Sequence, residues 1–154
     1  TDEEKLVARA HPIEAAIAKN ASNVAGKLTD DYWGKNATNY DATAANAFKH
    51  AVWNALMTRD LGYTMARNFA TAHEAPYYGD MTPYKMRYDE SIVMTIHDGT
   101  VMDLINNERG RKVGQSVPFY YSNDQVAQAV ISDMQAHPEE YCILVNNYCA
   151  SPIR

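Results

Sequence analysis

Three short stretches carry residues that packing alone does not call for. In "NAFKHAVWNALM", residues 46–57, Asn46, His50, Trp53 and Asn54 recur at helical spacing, so one groove could see all four. A helix there would otherwise bury only a core face of Phe48, Val52 and Leu56. The second stretch is His73-Glu74, closing "YTMARNFATAHE". The third, "MDLINNERGR", sets Asp103, Asn106, Asn107 and Arg111 at i, i+3, i+4 and i+8 of a helix. Asparagine is a poor helix former, so two in succession cost stability unless their amides are used.

Imidazole and carboxylate together can ligate a metal ion or act as general acid and base. His50, His73, Glu74 and Asp103 are therefore the candidate catalytic residues and the candidate ligands of a divalent metal ion. Trp53, Asn54, Asn106, Asn107 and Arg111 are the candidate substrate contacts. The zinc signature HExxH is absent, because Tyr77 stands where its second histidine belongs. No serine sits in a nucleophile elbow and neither cysteine has a catalytic signature, so hydrolysis would rest on water activated by a base or a metal. Each patch also has a plainer reading: a core histidine satisfied by an asparagine, a histidine suited to the dipole at a helix C-terminus, a solvated face with ion pairs. For His97-Asp98, ahead of Gly99, the turn-like setting favours the plainer reading.

The elements that must hold these residues are mostly helical. "DEEKLVARAHPIEAAIAKNASNVAGK" predicts a helix jointed at His11-Pro12, with Ile13, Ile17 and Val24 as its apolar stripe. "LTDDYWGKNATNYDAT" reads as a polar connection, after which Thr43 caps the His50 helix and Gly62 ends it. The stretch "PYYGDMTPYKMRYDE" is broken by prolines and rich in tyrosine, and predicts a long surface loop of the kind that often serves as a lid. "SIVMTIHDG" is ambiguous between strand and helix. A helix over "TVMDLINNERGRKVG" is expected to end before Gly114. Ser122 and Gln125 form a capping-box pattern for a last helix, closed by Pro138. The expected fold is a mostly α, compact single domain over residues 1–154, with a short C-terminal hairpin.

That hairpin bears on the compartment. On a helix, Cys142 and Cys149 would lie about 10 Å apart along the axis, too far to bridge. If "YCILVNNYCAS" turns back on itself they face each other, and a disulfide, the favoured reading, points to export. Two thiols in a reducing compartment are the alternative. The acidic opening "TDEEKLVARA" is not a signal peptide, and an initial Thr favours a mature or excised fragment. No apolar run of about 18 residues is present to span a membrane. Fourteen Lys and Arg against 19 Asp and Glu give a net charge of −5, which argues against nucleic acid as a partner. The local cluster "NNERGRKVG" keeps a small nuclease as an alternative.

The order "AFKHAVWNALM", "AHE", "MDLINNERGR" resembles an uncharacterised bacterial domain family found at the C-termini of secreted, wall-associated and polymorphic-toxin proteins. The likeness spans residues 10–114 and includes the lead-in "HPIEAAIAKNASNVAG". It singles out His50, Trp53, His73, Glu74, Asp103, Asn106, Asn107 and Arg111. Where the family has a histidine before its asparagine pair, this chain has Ile105, which supplies no ligand. The long interval between "AHE" and "MDL" implies an added lid. The resemblance implies a secreted or periplasmic protein and supplies no reaction.

The leading expectation is an exported, toxin-like hydrolase, an antibacterial effector acting on peptidoglycan or phospholipid, with an immunity protein or secretion-system carrier as partner. Eleven tyrosines and two tryptophans suit such amphipathic substrates. The competing expectation is a non-catalytic interaction or structural module, in which the polar stripe is a buried network that fixes helix packing.

Overall fold

The computed structural model describes residues 1–35, 43–74, 98–145 and 148–150, with backbone alone at 98, 144, 145 and 148–150. Local chemistry sets most element ends. Helix α1 (Asp2–Ala10) gives way at His11 to α2 (Pro12–Trp33), whose proline occupies a position where its missing N–H costs nothing. Helix α3 (Ala44–Leu61) starts where the Thr43 hydroxyl accepts from the Asn46 N–H, and stops at Gly62, whose φ of 82° suits glycine. Helices α4 (Tyr63–Glu74) and α5 (Asp98–Ser116) follow. The reciprocal Ser122–Gln125 capping box opens α6 (Asn123–Ala136), and Pro138 begins a single 3₁₀ turn. Strands β1 (Ile143–Val145) and β2 (Tyr148–Ala150) pair antiparallel, with Ile143 opposite Ala150.

Helix α3 lies at the centre. Phe48, Ala51, Val52, Ala55 and Met57 are fully buried, and the other helices supply the wall around them. Ala18, Ala21, Ala25 and Leu28 come from α2, Phe69 and Ala70 from α4, Val113 from α5, and Val126, Val130 and Met134 from α6. Each large side chain withdrawn from water contributes about 1.5–3 kcal/mol. One cluster thus joins all of these helices, as a mostly α fold requires.

The closest crossing sets up the site. A Cβ on Gly110 would overlap the Ala51 carbonyl oxygen and stand 2.6 Å from Ala51 Cα, and one on Gly114 would stand 2.6 Å from the Ala55 oxygen. Two glycines four residues apart therefore let α5 lie directly on the Ala51 and Ala55 backbone of α3. The helices run parallel in a constant register: Asn46 meets Asp103, His50 meets Asn107 and Asn54 meets Arg111, each pair 57 residues apart. Two i, i+4, i+8 rows are thereby laid side by side.

Several expectations need correction. Gly114 lies inside α5, where the close approach requires it, rather than beyond its end. The buried face of α2 is a row of alanines, and Ile13 is 74% exposed, because a neighbouring helix packs closely on small side chains. The polar "LTDDYW" continues α2 instead of leaving it. The hairpin forms, in a register that sets Cys149 opposite Leu144 rather than Cys142. The Tyr- and Pro-containing loop, "SIVMTIH" and the side chain of Cys149, with its pairing to Cys142, lie outside the described residues. Among those described, no helix is long and apolar enough to cross a membrane.

Candidate active site

Three helices each deliver one group to a common point. His50 comes from the middle of α3, Glu74 from the last residue of α4 and Asp103 from the first turns of α5. One ligand-capable atom of each lies within 4.8 Å of the other two. His50 Nε2 is 3.3 Å from Asp103 Oδ1, and the same oxygen accepts from the Asn46 amide at 3.3 Å. Glu74 is only 3% exposed, and its Oε1 has no hydrogen-bond partner among the described residues. Asp103 is the most open of the three, its side chain 20% exposed.

Burial dominates the electrostatics. It pushes the His50 imidazole down to about 3, with Lys49 and His73 adding to the effect and the Asn107 contact opposing it, so the ring is neutral at ordinary pH. Burial likewise raises the Glu74 carboxyl to about 8; the Asp103 charge adds to this, and the Asn107 amide pulls the other way. Two carboxyl groups and a neutral imidazole thus face one another in a largely dry setting.

Behind this triad runs a buried chain of hydrogen bonds whose direction is fixed by its far end. Arg111, 1% exposed, has only donors, and its Nη1 donates to Asn54 Oδ1 at 2.8 Å. Asn54 must then present its amide nitrogen, which donates to Asn107 Oδ1 at 2.6 Å and to the His50 carbonyl at 3.1 Å. Asn107 Oδ1, an acceptor, also faces His50 Nδ1 at 3.1 Å, so Nδ1 carries the proton. In the neutral ring Nε2 therefore has a lone pair, aimed at the carboxylates. Arg111 is itself anchored by Glu108 at 2.9 Å, which accepts in addition from Tyr63 at 2.7 Å.

The remaining sequence candidates separate from the triad. His73 points the other way: its Nδ1 lies 2.8 Å from Glu4 Oε1 on α1, and it meets Trp53 edge-on at 5.3 Å between centroids. Trp53 spends its indole N–H on the Ala18 carbonyl at 3.2 Å. Asn106 is no substrate contact, since both ends of its amide are taken by the Cys142 backbone, at 2.8 Å to the oxygen and 3.0 Å from the nitrogen. It points away from Asn107 because adjacent helical residues diverge by about 100°. Asn54, Asn107 and Arg111 are wholly buried and support His50 rather than meeting a substrate.

His50 and Trp53 line a cavity of about 280 Å³, together with His73, Phe69, Lys19, Ser22, Lys49 and Glu4. His50 is the one triad member that lines it. The contributions of Glu4, Lys19 and Ser22, from α1 and α2, had no signal in the sequence. Neither did Glu108 and Tyr63, although an acidic residue one helical turn before a buried arginine could have been suspected.

The chain belongs to the family described as a domain of unknown function (DUF6973), which matches residues 5–138. The match reaches beyond the expected 10–114 into α6 and the 3₁₀ turn, the elements that close the core around α3. No curated protein and no solved structure matches the chain.

Proposed function

Taking membership in this uncharacterised family as the premise, we propose that the protein is a hydrolase that activates water at His50, Glu74 and Asp103. The observation that carries this reading is their convergence: three titratable groups from three helices bring ligand-capable atoms within 4.8 Å, although nothing in core packing asks for it. An imidazole with a free lone pair beside carboxylates can take a proton from water and return it to a leaving group. The adjoining cavity, with Lys19 and Lys49 at its wall, offers room for part of a substrate.

The biological setting we propose is that of an exported, toxin-like antibacterial effector acting on the cell envelope, at peptidoglycan or phospholipid. The resemblance to domains at the ends of secreted and polymorphic-toxin proteins supports it, as does the acidic charge of −5, which disfavours a nuclease. A non-catalytic module is the second reading, favoured by the fully buried Arg111–Asn54–Asn107 chain, which could serve only to fix the register of α3 on α5.

Glu74→Gln and His50→Ala separate the two. Each variant is expressed with and without export to the periplasm, and the purified proteins are assayed on peptidoglycan sacculi and on phospholipid vesicles. The hydrolase reading expects growth arrest and product release only for the unsubstituted protein, at closely similar melting temperatures. Full toxicity in both variants, or activity lost only in step with the melting temperature, would favour the structural module.

A further inference from the structure

We infer that His50 Nε2, Asp103 Oδ1 and Glu74 Oε1 together form a binding site for one divalent transition-metal ion of the zinc type. The inference concerns the same three side chains as the hydrolase reading but does not require hydrolysis.

Arg111 cannot accept a hydrogen bond, so it orients Asn54, which orients Asn107, which leaves the His50 proton on Nδ1. Nε2 therefore turns a lone pair toward Asp103 Oδ1, 3.3 Å away. Two electron-rich atoms at that separation call for a proton or a cation between them. A chain that orients an imidazole through its other nitrogen is what metal-bound histidines use to hold ring and tautomer in place.

Glu74 is 3% exposed and its Oε1 has no hydrogen-bond partner among the described residues, yet its carboxyl group lies within reach of the same point. A buried carboxylate oxygen without a partner is costly. A single cation would supply Glu74 Oε1 with a partner, sit between the Glu74 and Asp103 carboxyl groups and occupy the His50 lone pair.

Distances and donor types select the class. Ligands about 2.0–2.1 Å from a tetrahedral zinc stand about 3.4 Å apart, and the His50–Asp103 separation of 3.3 Å fits that edge. Glu74, within 4.8 Å of both, would have to close in by up to about 1.4 Å to reach that edge. One imidazole nitrogen with two carboxylates suits zinc, manganese or iron better than magnesium or calcium, which favour all-oxygen sets. Three protein ligands leave a fourth position for water.

The test uses the purified chain, stripped with chelator and dialysed, and titrated with Zn²⁺ by calorimetry while melting is followed by circular dichroism. One equivalent should bind, with proton release and a raised melting temperature. Glu74→Gln and Asp103→Asn, which keep side-chain shape, should each weaken Zn²⁺ at least tenfold. Asn107→Ala should weaken it by about 10–100-fold through loss of ring orientation. Absence of Zn²⁺ binding by the folded, stripped protein would overturn the inference, as would undiminished binding in both carboxylate variants or a preference for Mg²⁺ or Ca²⁺. The two proposals part cleanly: Zn²⁺ binding without hydrolysis removes the enzyme and leaves the site, whereas hydrolysis by a stripped protein that binds no Zn²⁺ removes the site and leaves the enzyme.

Discussion

Replacing glycine by alanine should have opposite effects at Gly110 and Gly26. Inside a helix the change is ordinarily favourable by about 1 kcal/mol, because alanine loses less backbone freedom on folding. Gly26 lies mid-way along α2, and a Cβ there meets nothing within 4 Å, so Gly26→Ala should raise stability by about 0.5–1 kcal/mol. At Gly110 the same methyl would overlap the Ala51 carbonyl oxygen and lie 2.6 Å from its Cα, both backbone atoms that no rotamer can move. Ordinary contact begins near 3.4 Å, so α3 and α5 must separate by more than 1 Å to clear the Ala51 carbonyl oxygen. Overpacking of this kind costs about 1–3 kcal/mol, and occasionally more. It also stretches the cross-helix bonds of the three rungs, which now span 2.6–3.3 Å. After the propensity gain, a net loss of about 1–2 kcal/mol is expected, or a melting temperature lower by about 2–8 °C for a chain of this size. Urea and thermal denaturation of the two variants beside the parent measure this directly. Gly110→Ala melting at or above the parent would refute the close crossing and, with it, the register that assembles the site.

Further outcomes follow from single contacts. Asn106→Ala should lower stability by about 2–4 kcal/mol, since it orphans both the N–H and the carbonyl of buried Cys142; urea midpoints read it, and Asn106→Asp should not rescue it. Arg111→Met should cost about 3–5 kcal/mol by leaving Glu108 without its cation and Asn54 Oδ1 without a donor, with the additional Glu108→Gln change recovering part of the loss in a double-mutant cycle. Burial pushes the Asp133 carboxyl up, but the Arg109 fork and the Tyr141 hydroxyl outweigh it and leave the group below its usual 3.8. Its folded value being depressed, this contribution is present above about pH 4 and is lost as pH falls through the folded value. Asp133→Asn should therefore melt lower than the parent at pH 7, and the gap should narrow by pH 3.

Short-range chemistry was legible in the amino-acid order. Thr43, Gly62, the His11-Pro12 joint and the Ser122–Gln125 box act within a few residues of themselves, and all appear where their local physics puts them. The core face of Phe48, Val52 and Leu56 and the polar face carrying His50 follow from helical periodicity for the same reason. Gly114 misled because glycine has two uses, ending a helix or admitting a neighbour, and only the neighbour's position tells them apart. Ile13 misled because a hydrophobic residue buries only where another element covers it, and α2 is covered along its alanines.

The candidate site divides along the same line. Unusual residue types marked His50 and Asp103 on helical stripes and Glu74 at a helix end, because buried polar groups are costly enough to need a reason. That the three meet, that His73 instead turns to Glu4, and that Asn106 clasps Cys142 while its neighbour Asn107 orients His50 are contacts between segments distant in the chain. Such contacts depend on the register of α5 against α3, set to the residue by Gly110 and Gly114 lying on the Ala51 and Ala55 backbone. Helical periodicity specifies which face a residue occupies; only packing specifies what that face meets.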